Sequence, residues 1–249
     1  MGQRRCKNIK CVFLPVPVKY DGIRKKPRSY SGRAAEMRKY DSVLFDLDGT
    51  LTDSGPGIMR SAAYAMNEMK IIQTSDESLR VFVGPPLKDT FMRFGVPKDR
   101  VDEAIALYRK CYNAGAKFEN IPYPGIEDLL GKLKEEGFRL FVATSKPEEL
   151  AVEILKHFSM DGYFEVIAGA TMDYSRERKD QVLAWLLQTA DVGNAVMVGD
   201  TEYDVSGAKE HGLPCIGVSW GYGTVGNMRN AGALQIVNTM EELHGALQG

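Results

Sequence analysis

From residue 40 onward, short apolar runs alternate with segments of helical period. The runs are "SVLFDL" (42–47), "RLFVATS" (139–145), "FEVIAGA" (164–170), "AVMVGD" (195–200), "CIGVSW" (215–220) and "LQIVNT" (234–239). Most are continuous rather than alternating, which fits strands covered on both faces. Between them, "GIEDLLGKLKEEG" sets Ile126, Leu129, Leu130 and Leu133 on one face and stops at Gly137. "KPEELAVEILKHF" opens with Pro147 and two glutamates, and "DVSGAKEHG" is a short helix ending at Gly212. This βαβ rhythm predicts an α/β fold, a doubly wound parallel sheet with right-handed crossovers.

Residues 56–119 break the rhythm. "GIMRSAAYAMNEMK", "ESLRVFV", "PPLKDTFMRF" and "KDRVDEAIALYRKCYNAGAKF" read as helices without a convincing strand. "NIPYPG" (120–125) then returns the chain to the sheet pattern. The expected division is a core of 37–55 and 120–249 with a helical insertion of 56–119.

Residues 1–36 stand apart. They carry ten Lys/Arg and two Asp/Glu, whereas residues 37–249 carry 22 basic and 31 acidic residues. The leader's one apolar piece, "CVFLPVPV", is broken by Pro15 and Pro17 and lacks the uninterrupted stretch of a secretory signal. It reads as a basic, disordered extension, with Met37 as a natural start. The acidic body argues against nucleic-acid binding. No apolar run reaches the roughly 18 residues of a membrane span. Cys6, Cys11, Cys111 and Cys215 show no metal-type spacing, and read as free thiols in a reducing cytoplasm.

The chemistry concentrates at strand ends, where parallel α/β sheets bind ligands. Asp46 ends the first run, and Asp48, two residues on, points to the same side of an extended backbone. Two converging carboxylates repel each other, and a divalent cation such as Mg²⁺, which prefers hard oxygen ligands, makes the arrangement favourable. A lone acidic turn is the plainer reading of "DLD" in isolation. "AVMVGDTEYD" delivers Asp200 at another strand tip and Asp204 four residues later, where a helix N-cap is the alternative role. "VATSKP" offers the hydroxyls of Thr144 and Ser145, which suit either phosphate binding or ordinary turn chemistry. "YSRERKDQV" (174–182) places Arg176, Arg178 and Lys179 before a helix, where a solvated charged face is the alternative. An acid pair, a hydroxyl, a lysine and a second acid pair are the parts a phosphoryl-transfer site needs.

With those residues in view, the chain resembles the haloacid dehalogenase-like (HAD) hydrolase superfamily over residues 40–245. "DLDGTLTDS" matches the family's DxDGT motif. The resemblance implies a nucleophile at Asp46 and a general acid/base at Asp48, which also gives a backbone carbonyl to Mg²⁺. It makes Thr144 and Lys179 the second and third motif residues. In the fourth motif, "GDTEYD", it places Asp200 and Asp204 with Asp46 and Asp48 around the metal. Gly49, Thr50 and Ser145 are the expected phosphate contacts. The insertion matches the position of a C1-type α-helical cap over a Rossmann-like core, with "VGPPLKDTF" (83–91) as its specificity loop. Gly84, Arg93 and Lys88 are substrate-contact candidates there, although Arg93 and Lys88 also read as cap-surface charge. Phe82, Phe91 and Phe94 either line the pocket or pack the cap.

The wording is most similar to the phosphoglycolate phosphatase-like and 5′-nucleotidase-like branch. The implied reaction is Mg²⁺-dependent hydrolysis of a small phosphorylated metabolite, by a cytoplasmic monomer or homodimer without membrane or nucleic-acid partners. A β-phosphoglucomutase-like phosphomutase is the alternative within the fold. A non-catalytic binding protein is the alternative outside it, and requires a damaged acid set.

Overall fold

A computed structural model describes residues 38–71, 75, 77–173 and 175–248. The leader therefore lies outside the described residues. All six apolar runs form strands of one parallel sheet: β1 (Ser42–Phe45), β4 (Arg139–Pro147), β5 (Val166–Ala170), β6 (Ala195–Gly199), β7 (Cys215–Val218) and β8 (Gln235–Val237). A short antiparallel pair, β2 (Thr52–Asp53) and β3 (Ile121–Pro122), completes the strands named here. The sheet order is β5-β4-β1-β6-β7-β8, so the first strand made lies inside the sheet, between β4 and β6.

Each strand's alternation serves two layers. Val43 and Phe45 face a core shared with α4 (Ile126–Glu135), α5 (Glu148–His157) and α9 (Met240–Gln248). Leu44 faces the other core, shared with α6 (Lys179–Thr189), α7 (Glu202–Glu210) and α8 (Val225–Ala231). Burial on both faces explains why these strands read as unbroken apolar runs.

The insertion contributes α1 (Gly55–Glu68), α2 (Leu87–Arg93) and α3 (Val101–Asn113). Apolar side chains from Ile58 to Ala116 form their own cluster, centred on Phe91 and on Phe82, whose rings meet at 4.9 Å. The β2/β3 pair, Thr52 opposite Pro122 and Asp53 opposite Ile121, ties the two chain crossings between sheet and insertion together. Among the described residues no helix is long and apolar enough to cross a membrane.

Two local readings change. "DVSGAKEHG" begins its helix two residues earlier, at Glu202. β4 runs on through Pro147, which pairs with Ala170, and a register shift between Ala143 and Pro147 leaves Thr144, Ser145 and Lys146 in an irregular stretch of the ladder.

Candidate active site

The parallel strands deliver their acids to one edge. Asp46 continues the ladder beyond β1, its N–H donating to the Val198 carbonyl at 2.9 Å. Asp200 follows β6 directly and is wholly buried. Asp204 occupies the third position of α7, and Thr201 is the cap. The Thr201 hydroxyl and N–H donate to Asp204 Oδ2 at 2.8 and 3.0 Å, a capping box. Asp204 is thus not the N-cap, but its helix-start role and its place in the site coexist.

Asp46, Asp200 and Asp204 bring carboxylate oxygens within 4.8 Å of one another, all buried. Lys179, the first residue of α6, reaches into them. Its Nζ lies 2.9 Å from Asp46 Oδ1 and 2.8 Å from Asp204 Oδ1, and donates to the Ala143 carbonyl at 2.7 Å. The cluster holds three carboxylates, and the ammonium pairs with only two of them, Asp46 and Asp204. Burial raises the Asp46 carboxyl to about 6, with Lys179 opposing and Asp204 reinforcing the rise. Burial likewise holds Asp200 well above the usual carboxylate range, reinforced by Asp204 and Asp46. Burial pulls the Lys179 ammonium down, but Asp204 and Asp46 outweigh it and hold the group above an ordinary lysine.

The backbone is cut to fit this cluster. Gly49 sits at φ +82°, and a Cβ there would fall 2.3 Å from Asp200 Oδ2. A Cβ on Gly221 would meet the same oxygen at 2.3 Å. Backbone N–H groups of Tyr222 and Gly223 donate to Asp200 Oδ2 at 2.7 and 3.4 Å, and the Thr50 hydroxyl donates to Oδ1 at 3.2 Å. The donor set is hard oxygen with excess negative charge, which fits a small divalent cation.

Asp48 stands slightly apart. Its carboxylate does not join the trio: Lys146 Nζ donates to its two oxygens at 2.8 and 2.6 Å. The structure therefore places three of the four expected metal-site carboxylates together and turns the fourth, that of Asp48, to Lys146. Thr144 is buried on β4, its Oγ1 accepting from the Lys146 N–H at 3.2 Å.

The three basic candidates of 174–182 separate cleanly. Lys179 meets the acids. Arg176 bonds the Gly169 carbonyl at 2.7 Å and Glu148 at 2.6 Å and lies over Trp185, a fastening of β5 to its neighbours. Arg178 pairs with Asp180 at the surface.

A cavity of about 110 Å³ lies above Asp48, between the cap and the sheet edge. Gly84, Lys88, Ser145 and Phe82 line it, as do Tyr112 and Lys146. Arg93 does not: it is exposed on α2, away from the lining, because Phe91 and the neighbouring face of the helix turn into the cap core. Phe82 both lines the cavity and packs against Phe91 and Phe94, so the two expected roles are not exclusive. Lys146 and Tyr112 were not among the candidates. Lys146 was detectable, since strand alternation puts it on the same side as Thr144. Tyr112 carried no signal, being one of several aromatics on a helical face.

The model of the haloacid dehalogenase-like hydrolase family matches residues 43–218, and the chain belongs to that family. Within it the chain is a phosphatase. It is 38% identical over 200 residues to a 5′-nucleotidase of Pseudomonas aeruginosa, covering 79% of this chain and 90% of that one. It is 41% identical over 209 residues to the tyrosine-protein kinase PtkA of Mycobacterium tuberculosis, covering 82% and 72%. The crystal structure of a "predicted phosphatase" from Clostridium acetobutylicum superposes with a TM-score of 0.80 at 44% identity, over 83% of this chain and 97% of that one.

Proposed function

We propose that the chain hydrolyses small-molecule phosphate monoesters with Mg²⁺, through an aspartyl-phosphate on Asp46. The observation that carries this is the charge imbalance at the strand ends: Asp46, Asp200 and Asp204 cluster together, and one ammonium, Lys179, pairs with two of them, Asp46 and Asp204. Asp46, Asp200 and Asp204, with the Asp48 backbone carbonyl, would hold the cation. When bound, it neutralises charge on the transferring phosphoryl group.

The chain's own groups do the rest. An Asp46 oxygen attacks phosphorus, and the bond to the leaving oxygen breaks. Asp48 gives that oxygen its proton, then takes a proton from the water that attacks the aspartyl-phosphate. Phosphate leaves, Asp46 returns as carboxylate, and Asp48 is protonated for the next cycle. Lys179, Thr144 and the Gly49–Thr50 turn bind phosphoryl oxygens, and Ser145 adds a hydroxyl. The insertion, residues 56–119, acts as a cap that excludes water and selects the leaving group. Phosphoglycolate and nucleoside 5′-monophosphates are the substrates to test first.

A second reading has one observation in its favour, the 41% identity to a protein named a tyrosine kinase. In it, phosphorus is handed on to a tyrosine hydroxyl rather than to water. One experiment separates the readings. Phosphate release is measured over a panel of phosphorylated metabolites with Mg²⁺, beside ATP with a tyrosine peptide. Hydrolysis of metabolites, lost in Asp46→Asn and on chelation, is the expected result. Full activity of Asp46→Asn refutes the mechanism, and peptide phosphorylation without metabolite hydrolysis favours transfer. A requirement for a bisphosphate primer identifies a mutase.

A further inference from the structure

Lys146 is a buried cation that the mechanism above does not use. Its ammonium donates to both oxygens of Asp48, and the two side chains are only 5% and 10% exposed. The same Nζ lies over the ring of Tyr112, 5.2 Å from its centroid. Tyr112 belongs to α3 of the cap, whereas Lys146 lies near the end of β4 of the core. All three residues line the cavity, with Ile58, Tyr108 and Leu150 supplying apolar wall around them.

We propose that Lys146 is a positioning residue that aims the Asp48 carboxyl at the reacting centre and ties that aim to the cap through Tyr112. This rests on the roles given above to Asp46 and Asp48. Two hydrogen bonds from one ammonium fix both side-chain torsions of the Asp48 carboxylate, the form that acts as base. In the acid form one oxygen carries the proton for the leaving group and the other keeps its bond to Lys146. Aim matters because proton transfer requires the acid within hydrogen-bond reach of the leaving oxygen, and misplacement by about 1 Å costs on the order of 10²-fold. Charge pairing also explains how a lysine is tolerated at this depth, among the side chains of Ile58 and Tyr108. The link to Tyr112 means that the orientation seen here is completed only when α3 lies over β4.

The two halves of the reaction depend on Asp48 differently, and this gives the test. p-Nitrophenolate departs without needing a proton, whereas the alkoxide of glycerol 3-phosphate needs one. Lys146→Met with Mg²⁺ present is expected to slow phosphate release from glycerol 3-phosphate about 10²-fold. With p-nitrophenyl phosphate, formation of the aspartyl-phosphate should change less than about 3-fold, while its hydrolysis, which needs Asp48 as base, slows about 10²-fold. The signature is a burst of p-nitrophenol stoichiometric with enzyme, and an acid-stable phosphoenzyme.

Equal losses on both substrates without a burst would show that Lys146 is merely structural and overturn the proposal. Failure of the underlying reading looks different: Asp46→Asn would keep activity, and no phosphoenzyme would form in any variant. Circular dichroism checks the fold of Lys146→Met. Should it not fold, Lys146→Gln, which keeps a shorter donor, is held to the same leaving-group and burst criteria.

Discussion

The Tyr222 hydroxyl donates a hydrogen bond to the Asp53 carboxylate on β2. The same residue's backbone N–H donates to Asp200 at 2.7 Å. One residue therefore fastens the crossing into the insertion to the loop that supports the acid cluster. Hydrogen bonds to charged groups contribute about 1.5–3 kcal/mol, so Tyr222→Phe is expected to lower stability by about 1–2 kcal/mol in urea melts. Because the backbone contact to Asp200 survives, Mg²⁺ affinity should stay within a few-fold. A large loss of metal affinity would show that the phenol supports the acids as well.

Metal stabilisation should depend on pH with a defined sign. Burial raises folded Asp46 from 3.8 to about 6. Below about pH 4 the group is protonated both folded and unfolded and has no effect. As pH rises from about 4 to 6, the unfolded chain ionises first, and the metal-free fold loses on the order of 2–3 kcal/mol. A bound cation removes that penalty. The Mg²⁺-induced rise in melting temperature should therefore be larger at pH 7 than at pH 5, and shrink in Asp46→Asn. A shift independent of pH between 5 and 7 contradicts the argument.

Asp200→Asn and Asp204→Asn should part company in stability although both lose activity. Asp200 is held well above the usual range by burial and two like-charged neighbours, so neutralising it relieves repulsion. Its melting temperature without metal is expected to match or exceed that of wild type. Asp204 accepts from the Thr201 hydroxyl and N–H through Oδ2 and faces the Lys179 ammonium through Oδ1. An asparagine, with one acceptor oxygen, gives up one of these two sets at a cost of about 1–3 kcal/mol. Thermal melts in chelator compare them directly, and equal melting temperatures would contradict this division.

Gly49→Ala tests the fit of the first turn. It combines a φ of +82° with a Cβ 2.3 Å from Asp200 Oδ2. The expected cost is about 1–3 kcal/mol, accompanied by weakened Mg²⁺ binding measured calorimetrically. Wild-type stability and affinity would mean that the turn relaxes freely.

The strands were legible because burial on both faces writes an unbroken apolar run, and the helical insertion because Ile58, Ala62, Ala65 and Met66 recur at helical period. Strand order was not legible, since nothing local to "SVLFD" says that its partners are residues 139–142 and 195–198. The same division holds at the site. Acids at strand tips announce themselves against an apolar background. The choice of Lys179 over Arg176 does not, because it depends on which side chain α6 turns inward. The Tyr222–Asp53 and Lys146–Asp48 contacts span 169 and 98 residues and are products of the tertiary fold alone.

The placement of β1 also sets an order of events during synthesis. It leaves the ribosome early, yet both its neighbours, β4 and β6, are translated after the whole insertion. The insertion, whose apolar cluster is drawn from contiguous sequence, can collapse while β1 still lacks partners. The nascent chain is thus expected to carry a folded lid before it has a site to cover, with Asp46 kept waiting for Asp200 and Asp204. Limited proteolysis of chains stalled before β4 emerges should find α1 to α3 protected, and uniform digestion there would refute this order.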